Sequence, residues 1–362
     1  MHLAVEAIGI EGGASVVVSE LLATAASDSR ISRISVFSAA APDRHFSVPD
    51  HPNLVVVEKQ MAQRFLVYRA IWKQLLIGRQ CRRIGVDVLV SLTGQARTRL
   101  VPMATFIHQA LPYCEEALRR SPLRVRMRMA VVRVLMEWSG SAAQIVLVQT
   151  PSMAQLVRDA LDVSPQIEHI LPALDKELAA SAASDPFPPF GGVREGLRLL
   201  YVGADHPHKN LLFAARAMSR LRMQLPGATL FITLPKDHPL AQMEGVVALG
   251  RLTRSDLASA YRNADLLCMP SLCETVGLPL VEAMSLGLPV VAADLPYAHY
   301  VCGDAAAYFH PDHEDAFVAA STSVLTDSEH RSRMIRMGLS IAEELAAAEP
   351  YRRIVDSLVA LA

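Results

Sequence analysis

The chain has 362 residues, 51% of them hydrophobic, with 35 Lys/Arg against 36 Asp/Glu and a formal net charge of −1. That length exceeds one ordinary core and suits two domains, and near-neutrality excludes a generic basic nucleic-acid binder. The five cysteines are odd in number and contain no Cys-x-x-Cys pair, which argues against a disulfide framework and for a reduced cytoplasmic setting.

Taken in chain order, LAVEAIGI reads as a buried strand that runs through EGGAS into the helix VVVSELLATAAS. RISVFSA and NLVVVE read as strands, and residues 61–84 as one long Arg-rich helix. VDVLVSLT is a strand, PMATFIHQ another, and residues 118–138 a helix. QIVLVQT is a strand, followed by the helix PSMAQLVRDAL with Pro in its first turn. Residues 171–196 then change texture, becoming rich in Ala, Ser, Pro and Gly, and are read as the crossing between domains. A second run of the same kind follows: LRLLYVGA, ATLFITL, GVVALG, DLLCMPS, PVVAAD and AAAYFH as strands, with helices between them and a helical tail over 313–362.

Short apolar runs alternating with longer helical patterns imply parallel sheets with crossover helices. The expected fold is α/β, with two Rossmann-like doubly wound domains facing a cleft. Boundaries fall at 1–172 and 173–349, and a last helix at about 350–362 is expected to return to the first domain. Charge divides along the same line. Residues 1–170 carry 19 Lys/Arg against 14 Asp/Glu, and the remainder 16 against 22. No apolar stretch reaches the ~20 residues of a spanning helix, and MHLAVEAIGI lacks the pattern of a signal peptide.

The densest constellation is ETVGLPLVE, residues 274–282. It follows a strand and opens a helix, so the orphan N–H groups at that helix start favour a phosphate. Gly277 lets backbone approach an oxygen closely. Glu274 and Glu282 flank this anion site. Carboxylates repel phosphate but accept hydrogen bonds from hydroxyls, so the pair suits a nucleotide sugar, with hydroxyls on both sides of a diphosphate. A glutamate on the solvent face of the helix is the competing reading of Glu282. Lys209, in VGADHPHKN after the first strand of the second domain, is a point charge for the same phosphate. A solvated loop lysine is its plainer reading. Gly12 and Gly13, in EGGAS, open the first domain's matching loop.

VGADHPHKN, the block LGRLTRSDLASAYRNADLLCMPSLCETVGLPLVEAMSLGLPVVAAD and the E-x7-E pair resemble the retaining GT-B glycosyltransferases of family 4, over about Leu199 to Phe309. The first half matches in organisation and in short pieces: EGGAS, IHQALP and VLVQTPSM. The resemblance implies a residue set. Glu282 would bind ribose, and Glu274 the transferred sugar's hydroxyls at the catalytic centre. Thr275, Val276 and Gly277 would meet sugar and diphosphate through their backbone. Lys209 would neutralise the leaving diphosphate, Arg251 and Leu252 would frame the base, and Gly12 and Gly13 would close over the phosphates. His108 would lie near the sugar and acceptor; read on its own it is a histidine at a strand end before a loop. One departure stands out: Ala204 occupies the position where the family usually has arginine, with His206, His208 or Arg251 as substitutes.

The implied activity is transfer of a hexose from a nucleotide sugar to a polysaccharide or lipid-linked oligosaccharide. The alternatives are a catalytically weak sugar-nucleotide-binding accessory protein and a GT-B nucleotide-sugar epimerase. No DxD-like pair stands at a cleft loop, so neither a metal nor another cofactor is expected. Residues 119–133 hold Arg119, Arg120, Arg124, Arg126, Arg128 and Arg133 among apolar residues. They are expected either to touch an anionic membrane, making the protein peripheral on the inner face of the cytoplasmic membrane, or to form an amphipathic core helix with a solvated basic face. Met127, Met129 and Met136 read as core filling.

Overall fold

The computed structural model describes residues 1–10, 14–39, 46–161, 163, 165–171, 178, 190 and 196–362. Gly12, Gly13 and most of the expected crossing therefore lie outside the described residues. The chain divides into two compact units. The first comprises Met1–Glu115, Pro122–Ala173 and Glu349–Ala362; the second comprises Glu116–Ser121 and Leu174–Ala348.

The first unit is a seven-stranded sheet. Its strands are β1 (His2–Glu6), β2 (Arg33–Ser38), β3 (Leu54–Glu58), β4 (Val88–Ser91), β5 (Met103–Phe106), β6 (Ile145–Val148) and β7 (Gln166–His169). They lie in the order β3-β2-β1-β4-β5-β6-β7, all parallel. β1, β4, β5 and β6 are buried at every position, as strands covered on both faces must be. β7 has the sequence QIEH and was not foreseen: it is a half-exposed edge strand without the apolar run that marks its neighbours. Tyr351, Ile354, Val355 and Leu358 of the last helix, Pro350–Ala360, join Val18, Leu21 and Leu22 of the helix Ala14–Ser27 in this unit's core.

Two expected helices are corrected. The single helix over 61–84 is four pieces: Gln60–Arg64, Leu66–Ile71, a π-helical turn Trp72–Leu76, and Ile77–Arg83. The helix over 118–138 ends at Arg119 and restarts at Leu123, because Pro122 cannot continue the first piece. The second piece runs on to Ala142.

The second unit is a six-stranded parallel sheet. Its strands are β8 (Arg198–Tyr201), β9 (Thr229–Ile232), β10 (Val246–Ala248), β11 (Leu266–Met269), β12 (Val290–Ala293) and β13 (Ala306–Phe309). Their order is β10-β9-β8-β11-β12-β13. The core is built from residues such as Leu199, Tyr201, Leu230, Phe309 and Phe317. The helical tail resolves into Glu314–Thr326, Ser328–Ala347 and Pro350–Ala360.

Each sheet reverses its winding once. In the first unit that occurs between β1 and β4, and in the second between β8 and β11. Loops leaving such neighbouring strands at their carboxyl ends diverge and open a crevice, which is where doubly wound sheets bind ligands.

Candidate active site

The loops that leave β8 and β11 carry Lys209 and Glu274. Lys209 lies in a short 3-10 turn, Pro207–Lys209, and the helix Leu211–Gln224 follows it. The backbone N–H of Leu272 donates to the carbonyl of His208 at 2.7 Å, which ties the two loops together. Across that tie Lys209 Nζ donates to Glu274 Oε1 at 2.6 Å. The side chains are 18% and 12% exposed, so the pair is sheltered yet reachable from solvent. The two charges that the sequence assigned to phosphate and sugar are thus partners of each other.

Gly277 caps the helix Leu278–Ser285 from the left-handed region, with φ of +76°. A Cβ there would also come within 3.1 Å of Leu280 Cδ1 and 3.2 Å of Met269 Cε, so only glycine fits without strain. Pro279 occupies the first turn, where its missing N–H costs no bond. Val276 is buried and Thr275 half-buried, so the stretch presents backbone more than side chain.

Glu282 lies one turn into this helix, and the structure excludes the solvent-face reading. Its Oε2 accepts a 2.6 Å hydrogen bond from the hydroxyl of Tyr261, itself fully buried on the helix Arg254–Asn263. Burial raises the carboxyl pKa, while the Tyr261 bond and the charge of Arg254 oppose that rise. Neither Tyr261 nor Arg254 was picked out from sequence. The spacing of Ala258 and Tyr261 on one helix face, directed to the core, was the available signal. Arg251 is exposed and Leu252 half-buried, in the turn just before Thr253 caps that same helix.

The histidines beside Lys209 differ in environment. His206 is exposed, and its ring stacks on that of His208 at 5.6 Å. Burial pushes His208 down to about 4; Glu274 opposes this and Lys209 adds to it. Ala204 is exposed, and its carbonyl accepts a hydrogen bond from the buried Tyr201 hydroxyl at 2.8 Å.

In the first unit, His108 stands two residues beyond the end of β5, edge-on to Phe106 at 5.8 Å. The residue is half-buried, and desolvation by the surrounding protein lowers its pKa to about 4. Glu6 raises it and Lys73 lowers it. Both imidazoles are neutral at pH 7 and can act as hydrogen-bond donor or acceptor, but not as resident cations.

Residues 123–142 form one helix with Met129 and Met136 turned inward and Arg124, Arg126 and Arg128 exposed. Met129 and Met136 fill the core, but Met127 is exposed. With Leu123, Val131, Val134 and Trp138 it forms an exposed apolar stripe along one face of the helix. Arg124, Arg126 and Arg128 are exposed beside it, and the Arg97 guanidinium lies 5.8 Å from the Trp138 ring centre. No described helix is long and apolar enough to cross a membrane.

Comparison with known proteins fits this geometry. Residues 196–327 match the family described as Glycosyl transferases group 1. A phosphatidyl-myo-inositol mannosyltransferase of Mycolicibacterium smegmatis is 34% identical over 152 residues, 39% of this chain and 39% of that protein. The O-antigen chain mannosyltransferase B of Escherichia coli is 32% identical over 158 residues, 41% of this chain and 42% of that protein. These alignments therefore span only about two fifths of each curated relative. Two solved structures match nearly end to end. WaaG, a glycosyltransferase involved in lipopolysaccharide biosynthesis, superposes with a TM-score of 0.74 at 16% identity, covering 98% of this chain and 99% of that one. Anabaena Alr3699/HepE, in complex with UDP and glucose, superposes with a TM-score of 0.73 at 17% identity, covering 99% of each. The motif block of the second half lies inside the matched residues, and both sheets are doubly wound: residues 196–327 are similar to the glycosyl transferases group 1, and the chain has the GT-B fold.

Proposed function

We propose that the chain is a retaining glycosyltransferase that moves a hexose from a nucleotide sugar to a polysaccharide or lipid-linked oligosaccharide. The observation that carries this reading is the Lys209–Glu274 pair, set on adjacent loops at a winding reversal and beside the helix start at Gly277. The names of the mannosyltransferase relatives and the UDP and glucose of the Anabaena neighbour support it.

On this reading Lys209 exchanges Glu274 for the donor diphosphate. Departure of the nucleoside diphosphate builds negative charge on the phosphates and positive character on the sugar. Lys209 and the N–H groups at Gly277 meet the phosphate charge from fixed positions, which is the most effective kind of electrostatic catalysis. Their potential replaces that of a metal. Glu274, freed from the lysine, accepts a hydroxyl of the sugar. Glu282 gives one oxygen to Tyr261 and accepts the ribose hydroxyls with its carboxylate. Thr275, Val276 and Gly277 contact sugar and diphosphate, and Arg251 and Leu252 frame the base. Gly12 and Gly13, outside the described residues, are the candidates for phosphate contact, and neutral His108 is the candidate partner of a sugar hydroxyl. His208 takes no charge from the missing arginine at Ala204; it orders the loop that holds Lys209.

The stripe Leu123, Met127, Val131, Val134 and Trp138, with its flanking arginines, rests on the anionic inner face of the cytoplasmic membrane, where a lipid-linked acceptor is found. Apolar insertion and basic attraction act together there.

The test is product analysis: purified protein, a panel of nucleotide sugars, and polyprenyl-linked saccharide acceptors. A glycosylated acceptor with retained anomeric configuration and released nucleoside diphosphate is expected. An epimerised donor with no transfer, or donor binding without turnover, would replace the reading with one of the alternatives.

A further inference from the structure

A second lysine–glutamate pair lies at the winding reversal of the first unit, and no role has been assigned to it. Glu6 ends β1 and is fully buried; Lys73 lies on the π-helical turn and is 2% exposed. Lys73 Nζ is 3.0 Å from Glu6 Oε1. It also donates to the carbonyl of Ile8 at 2.9 Å and to Thr93 Oγ1 at 2.9 Å. Glu6 accepts from the Ile8 N–H at 3.0 Å, Ser91 Oγ at 3.0 Å and Thr93 Oγ1 at 2.6 Å.

Every polar atom of both side chains is therefore directed at the carboxyl ends of β1 and β4. Both backbone groups of Ile8 are held, so the path by which the chain leaves β1 is fixed just before residues 11–13. A buried ion pair is a poor means of stabilising a fold, since desolvation offsets its attraction. A π-helical turn is likewise uncommon and concentrates at functional sites. In this turn Lys73 is buried together with Trp72. Phe37 packs edge-on against Trp72, the residue that begins the turn, at 5.2 Å. The charges that act on His108 are these same two groups, Glu6 from β1 and Lys73 from the turn.

We propose that Glu6 and Lys73 are positioning residues for the acceptor-side half of the reaction, fixing Ile8 at the exit of β1, the carboxyl end of β4 and the electrostatic surroundings of His108. The kinetic part rests on the transferase reading; the effect on His108 does not.

The test uses Glu6→Gln, Lys73→Met and the double variant, which removes both charges together and leaves no unpaired buried ion. In the double variant, nucleoside diphosphate affinity and donor KM stay within about threefold of the parent, while kcat falls by about 10²-fold, the scale of a small misplacement of reacting groups. An unchanged kcat overturns the proposal. The second readout is the NMR titration of the His108 ring. Lys73→Met raises its midpoint relative to the parent and Glu6→Gln lowers it, because the two charges act on the ring with opposite sign. Should either single variant not fold, the other and the double decide. If the His108 midpoint is the same in parent and variants, the proposal fails even if turnover drops. If the parent transfers nothing, the transferase reading fails and the titration alone decides.

Discussion

Both sheets place a lysine and a glutamate in contact where the winding reverses, yet the two pairs have opposite character. Glu6–Lys73 is sealed, with 0% and 2% of the side chains exposed and further bonds to Ile8, Ser91 and Thr93. Lys209–Glu274 is short, at 2.6 Å, but 18% and 12% exposed. A sealed pair with saturated hydrogen bonds cannot change partners without exposing a buried charge, so it holds geometry. A sheltered but reachable pair can exchange its partner for a ligand group at small cost. On the proposed function the difference separates a scaffold from a site, although the residue types are the same.

The largest effect that would break this contrast lies at the reachable pair. Glu274→Ala lowers turnover by about 10²–10³-fold, the scale of one preorganised electrostatic contact, while nucleoside diphosphate affinity changes little. Steady-state kinetics beside calorimetric titration check it; equal loss in both measurements would remove the sugar role of Glu274. Lys209→Ala lowers turnover and diphosphate affinity together.

Next in size is Glu282→Ala. It leaves the buried Tyr261 hydroxyl without its acceptor, so it lowers stability by about 1–3 kcal/mol and weakens nucleotide binding by a similar amount. The double substitution with Tyr261→Phe recovers much of the stability and none of the affinity. Denaturant unfolding and nucleotide titration of both variants separate the two losses.

A smaller effect appears on acidification. His108 and His208 are both lowered to about 4, against an ordinary value near 6.5. Between those values the unfolded chain binds more protons than the native one, so stability rises with pH through the window and is lost as pH falls. Each histidine contributes on the order of 1–3 kcal/mol above pH 6.5, the lower end applying where solvent reaches the ring. Denaturant unfolding at pH 7 and pH 5 shows a shallower slope for His208→Asn than for the parent. At the membrane, Met127→Ser with Val131→Ser reduces flotation with anionic vesicles several-fold and leaves the melting temperature unchanged, because both side chains are already exposed. The smallest effect is that of a chelator: turnover in EDTA equals turnover without it.

Much of this was legible in residues 199–309, where the strands are continuous apolar runs and the loops between them carry the charged motif. The first unit was less legible. β7 has no apolar run to mark it. Lys73 sits among arginines in a segment that reads as one long helix, and nothing local reveals that a π-helical turn carries it inward. Burial of a charge is decided by partners that arrive from β1 and β4, more than sixty residues before it and nearly twenty after. Glu282 was placed correctly on its helix, but its partner Tyr261 lies 21 residues away, and a sequence pattern shows the face of a helix and not what meets it. Met127 was misjudged as core for the same reason, since period alone does not say which of two apolar faces packs inward.

The reachable pair is proposed to be a donor site. Thermal unfolding of the parent and of Lys209→Ala, with UDP-, GDP- and dTDP-sugars and the free diphosphates, tests it most directly, because a ligand that binds only the native state raises its apparent stability by mass action. A clear rise in melting temperature is expected with one base, abolished or strongly reduced in Lys209→Ala. No rise with any nucleotide, or a rise that survives unchanged in Lys209→Ala, would contradict it.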